Sequence, residues 1–359
     1  MALKRGRTRK ASESEARFVL REVQTRDLEA LYGLSAHLDS VNIPHDRKVL
    51  RSIIKTARSS FLGKLHWSRC VYFFVMENLG TGEIVGTSLI FGQHGHPDDP
   101  HVFFDVVDDE RYSSTLDRHF SHTTLRLGFN YRGPTEIGAL VLDPSHRGLS
   151  LGKPLSFVRF LFIAMYRERF REQVIAELMP PLESDGRSRL WEHLGRHFTG
   201  LGYQEADKLS HHNKEFIYAL FPQSPLYASL LPPEVRELIG RVGQDTKGVL
   251  KMIKDIGFRY SQRIDPFDGG PHYEAKTADI VPIRDARRLR LSSRPLEPGE
   301  DQSERPVRCL IATGRPEGPM RFLSTVGLAH REGASVHLEP EVSELLAARP
   351  KQDIWITPL

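Results

Sequence analysis

The stretch Thr135-Glu136-Ile137-Gly138-Ala139-Leu140-Val141-Leu142-Asp143-Pro144-Ser145-His146-Arg147-Gly148-Leu149-Ser150-Leu151-Gly152-Lys153 is the part of the chain best suited to chemistry. Its apolar run reads as a buried strand, a loop of small residues follows, and a long apolar helix opens at its end. The first turn of such a helix presents unpaired N–H groups and the positive end of the dipole, so the backbone itself can bind a pyrophosphate. Gly148, Ser150 and Gly152 keep side chains out of the way, serine at 150 being tolerable where the backbone stays in an ordinary region, and Arg147 and Lys153 add charge. Glu136 and Glu177 stand at the ends of neighbouring predicted strands, where a carboxylate can move a proton, bind a guanidinium or close a structural salt bridge. His211 and His212, adjacent in a loop, titrate in the useful range. His193 and His197 have the i, i+4 spacing of metal ligands, but with no third ligand in view they read as packing or capping residues, and no metal site is expected. Asp268 in Phe-Asp-Gly-Gly-Pro suits a substrate contact or an Asx-turn.

These residues need a scaffold of alternating strands and helices. Phe18 to Val23 reads as a strand and Leu28, Leu31, Leu34 as a helix behind Thr25-Arg26-Asp27. Val71 to Val75 and Ile84 to Phe91, separated by Leu79-Gly80-Thr81-Gly82, predict a hairpin. Ile137 to Leu142, the helical segment Leu151 to Phe170, and Val174 to Leu178 form a strand, crossover helix and strand. Helices are expected at Ser188 to Phe198, Glu234 to Val242 and Gly248 to Ile256, and a strand at Glu215 to Phe221. Beyond residue 276, short strands at Ile280 to Ile283, Arg308 to Ala312, Thr325 to Ala329 and Val336 to Leu338 suggest a small β domain. The expected organisation is a basic tail over 1–16, an α/β region over 17–275 and a β-rich domain over 276–359.

The chain has 359 residues, 39% hydrophobic and 27% charged, as globular proteins do. Its greasiest stretch, Phe157 to Met165, is interrupted by Arg159, so a membrane span is excluded from the expectations. Residues 1–16 hold five basic and two acidic side chains and so carry three of the four net positive charges. The nearly neutral body argues against a nucleic-acid partner. Cys70 and Cys309 form no disulfide framework, which favours a reducing compartment and makes the cytoplasm the expected location.

The Arg-Gly-x-Ser-x-Gly loop after a strand resembles the acyl-CoA site of the GNAT N-acyltransferase superfamily. From about Val19 to Ala275 the chain also resembles the arginine N-succinyltransferase family. The match is carried by Thr135-Glu136 with the strand to Leu142, Ser156 with Arg159 to Ala164, Val174-Ile175-Ala176-Glu177, Trp191-Glu192-His193-Leu194-Gly195-Arg196-His197-Phe198, Asn213 to Ile217, Leu238-Ile239-Gly240 and Phe267 to Pro271 with Glu274-Ala275. The resemblance implies a GNAT-like α/β core with a further small domain. It also implies succinyl transfer from succinyl-CoA, a cosubstrate and not a bound cofactor, to the α-amino group of L-arginine in arginine catabolism. Leu140 falls where the family contacts succinyl-CoA, with Val141 and Leu142 beside it. Aminolysis of a thioester needs a neutral amine and a steadied oxyanion, so Glu136, Glu177 and His212 are the candidate catalytic groups. Glu136, Asn213, Lys214 and Asp268 are the candidate amine contacts.

Three departures stand beside the match. Gly243 occupies the place of the family's catalytic histidine, Met179-Pro180-Pro181 replaces an Arg-Gly pair, and Ser210-His211-His212 replaces a glycine-containing loop. A transferase for another cationic amine, or a silent acyl-CoA-binding subunit, is the alternative to arginine succinylation. A homo- or hetero-oligomer is compatible with each.

Overall fold

The computed structural model describes residues 18–35, 44–210, 213–296, 305–314 and 322–359. The basic tail and the His211-His212 pair lie outside them. The chain divides into two units, one comprising Met1–Gly92, Ile137–Arg171 and Thr277–Leu359, the other Gln93–Glu136 and Glu172–Lys276.

In the first unit the strands are β1 (Phe18–Glu22), β2 (Val71–Asn78), β3 (Ile84–Phe91), β6 (Thr135–Leu142, from Ile137), β11 (Arg287–Leu291), β12 (Val307–Gly314), β13 (Phe322–Glu332), β14 (Ser335–Leu338) and β15 (Asp353–Pro358). They lie in the order β12-β15-β11-β14-β13-β1-β2-β3-β6. β1 is buried along its whole length because both edges are paired, with β2 on one side and β13 on the other. That burial includes Arg21, whose guanidinium is held at 2.8 Å by Asp27 and at 2.6 Å by Glu77, as a buried charge requires. Helices α1 (Leu28–Ser35), α2 (Arg47–Phe61), α3 (Gly152–Met165), α10 (Val281–Arg284) and α11 (Pro340–Leu345) complete the unit. Asp46 caps α2 by accepting from the N–H groups of Lys48 and Val49, and α2 buries Leu50, Ile54, Ala57 and Phe61 at helical spacing. The 277–359 segment is strand-rich as expected, although 281–284 is helical: Pro282 lacks the N–H a strand would use and suits a first helical turn.

The second unit holds β4 (His101–Ser113), β5 (Arg118–Asn130), β7 (Gln173–Glu177), β8 (Leu226–Tyr227), β9 (Arg259–Ile264) and β10 (Pro271–Lys276), ordered β7-β10-β9-β4-β5-β8. The first two residues of β6 pair in parallel with β7, Thr135 opposite Val174 and Glu136 opposite Ile175. Its helices are α4 (Arg189–His193), α5 (Gly195–Thr199), α6 (Tyr203–Ser210), α7 (Glu215–Leu220), α8 (Pro233–Arg236) and α9 (Lys247–Asp255). The Trp191 motif is a packing device. Its indole is fully buried, stacks on Phe267 at 4.9 Å and donates to the Leu201 carbonyl at 3.0 Å, and a Cβ on Gly195 would come within 2.3 Å of the ring.

Three elements of this unit differ from expectation. Glu215 to Phe221 is helix α7, not a strand: Asn213 accepts from the Glu215 N–H, and the buried Ile217 and Phe221 are four apart, a helical and not an alternating spacing. The helix over 188–198 breaks at Leu194 into α4 and α5. The one expected to reach Val242 stops at Arg236, and Gly240 nearby is left-handed at φ +71°.

Candidate active site

In the first unit, β6 passes into the loop that opens α3. Asp143 accepts from the Ser145 N–H and shapes a short turn over Pro144–His146, after which Arg147, Gly148 and Ser150 are exposed. Gly148 has φ +84°, and Ser150 has φ +61°, so Ser150 sits in the left-handed region and the condition that makes serine tolerable there is not met. Among the described residues no side chain caps α3, a Cβ on Gly152 would meet open space, and Lys153 is exposed. The helix start is therefore a bare set of N–H donors flanked by two cations. Leu140 and Leu142 are half-buried and Val141 is buried. β6 is interrupted at Ala139, φ +49°, whose carbonyl accepts from the Thr87 hydroxyl at 3.0 Å. Arg159 of α3 is 2% exposed, and its guanidinium donates to the Ser156 hydroxyl at 2.6 Å and carbonyl at 3.0 Å. Burial without a carboxylate pulls it down to about 9, so it remains a cation at neutral pH.

In the second unit the two carboxylates selected from sequence meet at one imidazole. Glu136, 4% exposed on β6, lies 2.7 Å from Nδ1 of His94, and Glu177, closing β7, lies 3.4 Å from its Nε2. His94 is anchored by its N–H to the Pro134 carbonyl at 2.7 Å. Two further histidines approach the same oxygen of Glu177: His101, which opens β4, at 2.9 Å, and His272, opposite Glu177 on β10, at 3.5 Å. Burial would lower His94, but Glu136 and Glu177 outweigh it and raise the ring to about 10. Burial would raise Glu177, but the surrounding histidines hold it well below the usual carboxylate range. His101 is pushed down to about 3 by burial and by His94 beside it, and burial lowers His272.

The other predicted residues have their own partners. Asp268 accepts from the Gly270 N–H at 2.7 Å, the Asx-turn geometry, and burial together with Asp265 raises it well above the usual range. Asp265 accepts from the N–H groups of Phe267 and Asp268 and is pushed up to about 7, by burial first and then by Glu177. Lys214 reaches Asp99 at 3.4 Å, in the loop between His94 and His101. His193 and His197 are exposed, and the His193 ring meets the Arg189 carbonyl. The sequence reading missed His94, His101 and His272, because 178 residues separate the first from the last and no spacing joins them. The one signal was Gln93-His94-Gly95-His96 just before the hairpin that His101 opens.

A strand running into an uncapped helix start, and a buried cluster of carboxylates and imidazoles, are the two candidate sites the fold builds. The family model described as "Arginine N-succinyltransferase beta subunit" matches residues 18–282. The chain is 36% identical over 286 residues to arginine N-succinyltransferase subunit beta of Pseudomonas aeruginosa, covering 79% of this chain and 83% of that one. It is 32% identical over 327 residues to arginine N-succinyltransferase of Yersinia enterocolitica, 90% and 92% of the two chains. The solved structure of arginine/ornithine succinyltransferase subunit AI from Pseudomonas aeruginosa superposes with a TM-score of 0.80 at 26% identity, over 95% of this chain and 98% of that one. The chain belongs to the arginine N-succinyltransferase family, and it is an acyltransferase.

Proposed function

We propose that the chain moves a succinyl group from succinyl-CoA to the α-amino group of L-arginine in the cytoplasm, working as part of an oligomer. The observation that carries this reading is the family membership, on residues 18–282. For the CoA half, the N–H groups at the start of α3, with Arg147 and Lys153, suit a pyrophosphate, and Gly148, Ser150 and Gly152 leave room for it. The strand edge at Leu140, Val141 and Leu142 suits pairing with the pantetheine amides.

For the amine half, Glu136 and Glu177 supply the negative charge that draws a cationic amine, and a group in their cluster takes the ammonium proton. Asn213, Lys214 and Asp268 are the remaining candidate contacts, and His212 is a candidate second acid/base. Thiolates leave with little protonation and binding in the right geometry supplies much of the acceleration, so loss of the family histidine at Gly243 slows the reaction without abolishing it. An oligomer is supported by relatives named as subunits. The buried free thiols Cys70 and Cys309 suit a reducing compartment. Among the described residues no helix is long and apolar enough to cross a membrane.

The three departures from the family pattern favour a second reading, transfer to a different cationic amine. Incubating the purified chain with succinyl-CoA and a panel of amines, and following release of the CoA thiol, separates the two. Arginine should give the highest kcat/KM; a better turnover of another amine would replace arginine with it, and no thiol release with any amine would favour a silent subunit.

A further inference from the structure

Three imidazoles and one carboxylate converge in the second unit from four places in the chain: His94 from the loop before β4, His101 from the first residue of β4, Glu177 from the last residue of β7 and His272 from β10. From Glu177 Oε1 the nearest ring nitrogens are at 3.4 Å (His94 Nε2), 2.9 Å (His101 Nε2) and 3.5 Å (His272 Nε2). Ligand atoms of His94, His101 and Glu177 all fall within 4.8 Å of one another. Donors held about 2.0–2.2 Å from one tetrahedral ion stand roughly 3.3–3.6 Å apart, so His94 at 3.4 Å and His101 at 2.9 Å from Glu177 are close to the separations such an ion imposes.

Hydrogen bonding does not account for the cluster. Among the described residues, Glu177 Oε1 and both ring nitrogens of His101 and of His272 have no hydrogen-bond partner, although the two rings are 3% and 0% exposed. Buried polar atoms are nearly always satisfied, and a set left unsatisfied while pointing together marks a missing partner with several acceptor-directed bonds to make. A cation that accepts lone pairs is such a partner. Imidazole nitrogens with one carboxylate select a borderline divalent ion of the zinc class over magnesium or calcium. The remaining nitrogen of His94 supports the same answer, since Nδ1 lies 2.7 Å from Glu136, the carboxylate-to-histidine contact that fixes a ligand ring and leaves Nε2 free for the metal.

We propose that His94, His101 and Glu177 bind one zinc-class divalent ion, with Glu136 as the positioning residue for His94 and His272 packed behind Glu177. The site would tie β4, the loop before it and β7 together. The assignment is independent of which amine is acylated.

The test uses the full chain, stripped with a chelator and desalted, then titrated with zinc sulfate by calorimetry and with cobalt(II) by visible absorption. The expected result is saturation at about one ion per chain with the intense visible bands of tetrahedral cobalt. Glu177→Gln, which keeps the side chain's shape, and His101→Ala should each weaken binding at least ~10-fold, and Glu136→Gln should weaken it by about 10–100-fold. The exposed His119→Ala should bind as the parent does. Absence of a saturable site, cobalt with the pale spectrum of the hexa-aquo ion, or affinities in Glu177→Gln and Glu136→Gln equal to the parent's would each overturn the assignment.

Discussion

The backbone N–H of Gly243 donates to the carbonyl of Met179 at 2.8 Å. Two of the chain's departures from its family, the missing histidine and the Met179-Pro180-Pro181 segment, are thus one structural change. Gly243 has φ −61° and ψ 159°, a conformation open to any residue, but a Cβ there would come within 2.9 Å of the Pro180 carbonyl oxygen. The obstacle to a side chain is space and not backbone conformation.

Gly243→Ala should therefore destabilise the fold by about 1–3 kcal/mol, and Gly243→His by at least as much, because a carbonyl must move to admit either. Urea unfolding measures it. Gly243→His should bring no gain in arginine turnover; a variant as stable as the parent and faster would show that the segment yields freely.

Gly152→Asp tests the anion site. The Cβ meets open space and an acidic residue in the first turn favours the helix, so melting should not fall. CoA affinity should drop several-fold through repulsion of the pyrophosphate. Calorimetry with Gly152→Ala as the neutral control reads the difference, and equal affinity for the Asp variant would place the phosphates elsewhere.

Ser150 is held at φ +61°, where a Cβ costs about 1 kcal/mol or more. Ser150→Gly should raise the unfolding free energy measured in urea by about that amount while leaving CoA affinity within about twofold. A lower midpoint would mean that the hydroxyl, and not the backbone, governs this position.

For Glu136→Gln and Glu177→Gln, amine kcat/KM should fall by roughly 10²–10⁴-fold, the range of a positioned acid/base, with CoA affinity retained. Steady-state kinetics with varied amine and calorimetry with CoA separate the two effects. Parent rates in both variants would remove these carboxylates from the reaction.

Asp265 sets a pH slope. Its folded-state value of about 7 lies above the ordinary 3.8, so the folded chain binds its proton more tightly than the unfolded one. The resulting stabilisation is complete below about pH 4 and is lost as pH rises towards 7. Asp265→Asn keeps Oδ1 as acceptor for Phe267 and Asp268 and should flatten the fall in melting temperature between pH 5 and about 7.5. An unchanged slope would assign that titration to another group.

Periodicity revealed most of what positions the CoA loop, because β6, α3 and β7 are long apolar runs that a strand or a buried helix must satisfy locally. It failed at 215–221, where seven residues of mixed type fit either period and only the burial of Ile217 with Phe221 decides. Glu136 and Glu177 were visible as carboxylates at strand ends. The imidazole between them was not, since His94 belongs to a loop whose placement depends on the Pro134 carbonyl 40 residues onward. A cluster assembled across β4, β7 and β10 is a product of sheet order, which spacing along the chain does not encode.

β1 pairs Val19 with Thr325, strands whose partners are made at opposite ends of synthesis. The emerging chain can zip β1 to β2 early, but the second edge of β1 waits on the ribosome for more than 240 further residues after β2 is complete. Through that interval the Phe18-Val19-Leu20 edge is a template for a neighbouring nascent chain on the same messenger. Truncation ahead of Phe322 would make the exposure permanent, so a premature stop before that codon should yield aggregates in place of a shortened enzyme.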